Sequence, residues 1–124
     1  MFELRVVTRF AAAHRLAMVG EKCENLHGHN WKIEVYVQGT ALDEGGVLVD
    51  FGVIKHHVRD LMQTLDHTFL NELDYFRNGT PPSSENIARY VADQLAERIT
   101  LPDIQISRVT AWESEDASAT YLPA

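Results

Sequence analysis

A single cysteine, Cys23, in 124 residues excludes an internal disulfide framework and suits a reducing compartment, where a lone thiol is either packing or chemistry. No apolar run is long enough to cross a bilayer as a helix, which excludes a helical membrane span. Basic residues are scarce, 11 against 18 acidic, and the formal charge of -7 repels nucleic acid from the surface as a whole. Any anionic ligand therefore needs local basic groups. The opening Met1-Phe2-Glu3-Leu4-Arg5 lacks the basic-then-apolar layout of a secretory signal, so the expected location is the cytoplasm. There is no internal linker, low-complexity stretch or long-period repeat, and the length suits one domain spanning residues 1–124.

What is present is alternation followed by helical stripes. Phe2, Leu4, Val6, Thr8 and Phe10 face one way with Glu3, Arg5 and Arg9 opposite, the period of a half-buried strand running on towards His14. After a looser stretch holding Gly20, Cys23 and Gly28, a second strand sets Trp31, Ile33, Val35 and Val37 against Lys32, Glu34, Tyr36 and Gln38. Val47 to Val49 reads as a short extension, and Asp50 as the N-cap of a helix with Ile54, Val58, Leu61 and Leu65 on one stripe. Ser83 or Ser84 caps a second helix with the stripe Ile87, Val91, Leu95 and Ile99. Ile104 to Trp112 and Ala117 to Leu122 read as two further strands. The order strand, strand, helix, helix, strand, strand predicts an α+β domain, a four-stranded antiparallel sheet with two helices on one face. Such a sheet leaves its other face and its edges to be covered, for which self-association is the natural remedy.

The segment Cys23-Glu24-Asn25-Leu26-His27-Gly28-His29 carries the strongest chemical signal. Two histidines two apart at a strand entry project from the same face, and antiparallel pairing would bring His14 beside them. Three imidazoles with an open fourth position is the usual make-up of a catalytic zinc site. On spacing alone two other readings stand beside it: unrelated surface histidines with a core His14, or a closed Cys-His-His-His structural site in a non-catalytic, zinc-stabilised binding module. Cys23 lies between Lys22 and Glu24, where a thiolate beside a dication would be favoured for proton transfer. Asp66 next to His67 could hold a tautomer or relay protons, against the simpler reading of a cationic His67 at a helix C-terminus. Glu113 after Trp112 is either solvated or able to pair with a guanidine-like ligand edge. His56 and His57, in mid-helix, have no companion at metal-binding spacing.

Ala12-Ala13-His14-Arg15-Leu16, Cys23 followed by His27-Gly28-His29, Val49-Asp50-Phe51, Leu65-Asp66-His67, Ser84-Glu85-Asn86 and Trp112-Glu113 stand in one order along nearly the whole chain. In this the sequence resembles the 6-pyruvoyl- and 6-carboxytetrahydropterin synthase family. The resemblance implies a tunnelling fold, in which subunits close their sheets into an oligomeric barrel as trimers, commonly stacked as hexamers, with active sites at subunit interfaces. It also implies Zn²⁺ on His14, His27 and His29, Cys23 as general base, Asp66 and His67 completing a proton relay, and Glu113 anchoring the pterin. Arg15 and Lys22 are the phosphate candidates by charge.

The substrate class so implied, 7,8-dihydroneopterin triphosphate, carries a vicinal diol that could take the open zinc position, where the metal acidifies adjacent bonds. The three-residue gap between Cys23 and His27 is similar to the carboxy branch, which serves queuosine biosynthesis and releases acetaldehyde as well as triphosphate. The pyruvoyl branch and a dihydroneopterin-level aldolase are the alternatives within the resemblance. Pro82-Ser83 and Ser114 depart from the commoner Pro-Thr and Thr at those places, touching no proposed ligand or base.

Overall fold

Strand alternation is realised with long strands. A computed structural model describes residues 1–16 and 27–123, with His27 described in its backbone alone. Strand β1 (Phe2–His14) pairs antiparallel with β2 (His27–Gly39) along its whole length, Phe2 against Gly39 and His14 against His27. Helix α1 (Phe51–Leu65) begins at Asp50, whose side chain accepts from the Gly52 N–H. Helix α3 (Ser84–Arg98) begins at Ser83, whose hydroxyl accepts from the Asn86 N–H. Strands β4 (Gln105–Ser114) and β5 (Ala117–Tyr121) complete the sheet beyond β2.

The sheet differs from the sequence expectation by one strand. A two-residue strand β3 (Thr68–Phe69) lies parallel to Ala12 and Ala13, giving a mixed five-stranded sheet in the order β3-β1-β2-β4-β5. His67, at φ 57°, turns the chain off α1 so that β3 can reach β1. Two residues are too few to show alternation. The four-residue helix α2 (Asp74–Arg77) is likewise too short to show a stripe, and residues 47–49 are irregular, with bends at 48 and 49, not the expected extension.

One sheet face carries the core. Val6, Phe10, Trp31, Ile33, Val35, Val37, Val109 and Ala111 meet the predicted stripes of α1 and α3, and Ile54, Val58, Leu61, Leu65, Ile87, Val91, Leu95 and Ile99 are all buried. At Gly39 a Cβ would lie 2.7 Å from the Asp103 carbonyl and from Leu48, so only glycine lets β2 exit here. Asp103 secures the same exit by accepting from the backbone N–H groups of Thr40 and Ala41.

The opposite face is polar but ordered around a buried carboxylate. Glu34 is 6% exposed and accepts from Arg5 Nε at 2.5 Å, from the Tyr36 hydroxyl at 3.1 Å and from the Trp112 indole N–H. Burial pushes its pKa up, but the bonds from Trp112, Arg5 and Tyr36 outweigh this and hold it below the ordinary carboxylate value. A depressed folded-state pKa means that the stabilisation is complete above the unfolded value, near 4.5, and is lost as pH falls through the folded one. Glu34→Gln should cost about 2 kcal/mol at neutral pH. Thermal unfolding of the variant followed from pH 7 to pH 3 should fall less steeply than that of the wild type, and parallel curves would remove Glu34 from the acid transition.

Candidate metal centre

Three strands deliver one residue each to the same end of the sheet, on the helix-covered side. His14 closes β1, His29 lies near the start of β2 and Glu113 near the end of β4. Their ligand atoms all lie within 4.8 Å of one another. His14 is 1% exposed, and its Nδ1 lies 2.8 Å from the Pro82 carbonyl oxygen. A carbonyl oxygen only accepts, so Nδ1 carries the hydrogen, and in the neutral ring Nε2 presents its lone pair to the centre.

That lone pair faces a carboxylate. Glu113 Oε1 lies 3.1 Å from His14 Nε2 and 3.1 Å from His29 Nε2. Two acceptors at that separation require positive charge between them, either a proton or a metal ion. Imidazole nitrogens with a carboxylate oxygen are the donor set of zinc and neighbouring first-row ions, whereas magnesium and calcium prefer all-oxygen sites. The residues present thus fit a divalent transition-metal ion.

Trp31, fully buried, sets the geometry from beneath. Its ring packs edge-on to His14 at 5.3 Å and to His29 at 5.6 Å, while its other side stacks with Phe10 at 6.1 Å. Its indole N–H has no hydrogen-bond partner among the described residues. Sequence reading places Trp31 in the core and gives no hint of this wedge, because alternation fixes a residue's face but not its neighbours. The Pro82 carbonyl is equally silent in sequence, since any residue could supply it.

Asp66 and His67 form a second small constellation. Asp66 Oδ1 accepts from the Ala11 N–H at 2.8 Å and its Oδ2 lies 3.0 Å from His67 Nδ1. The Ala11 N–H is the main cause of a lowered Asp66 pKa, with His67 contributing further. His67, largely exposed, lines a cavity of about 520 Å³ with His29, Ala11 and Phe69. A second cavity of about 620 Å³ is lined by His29, Glu113, Arg9, Lys32 and Trp112. His29 therefore stands in the wall of both.

Arg15 is exposed, and its backbone N–H and carbonyl are clasped by the Asn71 side chain at 2.8 Å each. Cys23 and Lys22 lie outside the described residues, as does the side chain of His27. His56, on the exposed side of α1, pairs with Asp60 at 3.4 Å.

The fold and the centre define an α+β protein with a candidate transition-metal site at the end of its sheet. The family model of 6-pyruvoyl tetrahydropterin synthase matches residues 3–124, and the chain belongs to that family. It is similar to a dihydroneopterin monophosphate aldolase of Pyrococcus furiosus, with 33% identity covering 90% of this chain and 91% of the relative. It is also similar to a 6-carboxy-5,6,7,8-tetrahydropterin synthase of Synechocystis, with 38% identity covering 71% of this chain and 70% of the relative. Among solved structures, the 6-pyruvoyl tetrahydropterin synthase of Caenorhabditis elegans superposes with a TM-score of 0.87 at 26% identity, covering 99% of this chain and 96% of the other.

Proposed function

We propose that the chain is a zinc-dependent carbon-carbon lyase that converts 7,8-dihydroneopterin triphosphate into 6-carboxytetrahydropterin, releasing acetaldehyde and triphosphate, within queuosine and 7-deazapurine biosynthesis. The observation that carries the reading is the convergence of His14 and His29 on a carboxylate oxygen, with the His14 tautomer fixed by Pro82. Membership of the pterin synthase family supplies the substrate class.

His14, His27 and His29 would hold the zinc, which when bound supplies the positive charge that acidifies neighbouring C–H and O–H bonds. Cys23 would take and return the proton, and Asp66 would orient His67 for the relay. Glu113 would anchor the pterin through its ring N–H and amino groups, with Arg15 and Lys22 near the phosphates. The geometry of Glu113, 3.1 Å from both histidine Nε2 atoms, favours a second reading in which it is itself a ligand. Glu113→Ala separates the two: a pterin anchor retains wild-type zinc and raises KM, whereas a ligand loses zinc.

The helix-free sheet face and the family likeness support assembly as a trimer or hexamer, with sites completed at subunit interfaces, in the cytoplasm. A core of this extent should also keep the chain folded after chelation, unlike a zinc-stabilised binding module. The test of function is incubation of the zinc-loaded chain with 7,8-dihydroneopterin triphosphate, following pterin masses and volatile aldehyde together. 6-Carboxytetrahydropterin with acetaldehyde is the expected result. A pyruvoyl product without aldehyde assigns the pyruvoyl branch. A 6-hydroxymethyl pterin with a glycolaldehyde fragment assigns an aldolase, the reading that the Pyrococcus furiosus relative favours.

A further inference from the structure

The register of the first two strands sets two cations side by side. Arg9 pairs directly with Lys32 across β1 and β2, on the sheet face away from the helices. Side chains so opposed stand about 5 Å apart at Cβ, where like charges destabilise a sheet. Neither forms an ion pair among the described residues. Lys32 Nζ rests 5.4 Å from the centroid of the Trp112 ring. Glu34, two residues further along β2, is already engaged by Arg5, Tyr36 and Trp112.

Both cations line the 620 Å³ cavity that also holds His29 and Glu113. Glu115 lines it too, but lies exposed in the turn beyond Glu113. The cavity thus brings the Glu113 carboxylate and the candidate metal centre together with a guanidinium and an ammonium group. Arg9 is exposed and Lys32 partly so, and with no ion pair to either among the described residues both cations are free to meet an anion that enters the cavity.

We propose that Arg9 and Lys32, which line this cavity where Arg15 does not, form its polyphosphate subsite in place of the Arg15 assignment, holding the anionic tail of a ligand that also reaches Glu113 and the candidate metal centre. The proposal deepens the pterin triphosphate reading and rests on it for the identity of the ligand, but its chemistry, a linear polyphosphate, is testable alone. Arg9 offers a planar fork and Lys32 a point charge, a combination that suits adjacent phosphoryl groups.

Calorimetric titration of sodium tripolyphosphate into the full chain at low salt tests it, with and without added zinc. One tripolyphosphate per chain is expected, and the Arg9→Ala/Lys32→Ala variant should bind at least about tenfold more weakly in both conditions. Arg59→Ala, which removes one charge from the exposed side of α1, controls for net charge and should bind as wild type. Circular dichroism and zinc content of the double variant should match wild type. Absence of binding by wild type, equal binding by the double variant, or equal weakening in Arg59→Ala each overturns the subsite. Tripolyphosphate binding at this pair in a chain inert towards pterins would sink the proposed reaction and leave the subsite standing. Pterin turnover with tripolyphosphate affinity unchanged in the double variant would do the reverse.

Discussion

His29→Ala should lose zinc and activity together. Loss of an outer partner of a metal-binding histidine costs about 10–100-fold in metal affinity, so loss of the histidine itself should exceed about a hundredfold. The fold should survive, because truncating this side chain would leave Trp31 stacked on Phe10 in an otherwise intact core. Zinc stoichiometry after dialysis, read alongside near-ultraviolet circular dichroism, checks both halves of the expectation. A variant with wild-type zinc would remove His29 from the centre and make its convergence with His14 on Glu113 an ordinary salt-bridge cluster.

Cys23→Ala should behave in the opposite way towards the metal. A general base contributes about 10²–10⁴-fold to rate, so turnover should fall by that factor while bound zinc stays at one per chain. Cys23→Ser, with a hydroxyl of much higher pKa, should rescue little at neutral pH. Simultaneous loss of zinc and turnover in Cys23→Ala would make the thiol a ligand and replace the proton-transfer role with a closed four-ligand site.

The sequence makes the frame legible where a period is long enough to register. Both helical stripes, both N-caps and four of the strands follow from alternation, apolar spacing and the side chains of Asp50 and Ser83. Strand β3 escapes because its cause is not a pattern but a left-handed residue, His67, followed by pairing with a strand more than fifty residues earlier. The backbone opposition of His14 and His27 follows from simple hairpin-like pairing of two consecutive strands. The arrival of Glu113 beside His14 and His29 does not, because β4 joins β2 only after three helices and with a shift of register at Tyr36 and Val37. The cation pair is present in the alternation of both strands, but only the register shows that Arg9 and Lys32 are opposite each other.

The spacing of the centre along the chain also fixes when it can form. His14 and Glu113 are separated by 99 positions, and β4 reaches its place only by pairing with β2 across the docked helices. Closing a loop of that length is among the slower events in folding a domain of this size. If Glu113 is a ligand, a metal ion therefore cannot template the early chain through the complete set, whereas a site of His14, His27 and His29 can fill once β1 and β2 have paired. In refolding, capture of an absorbing ion such as cobalt in the slowest phase would then mark the docking of β4 with Glu113 as a ligand, and capture in an early phase would mark the three-histidine set.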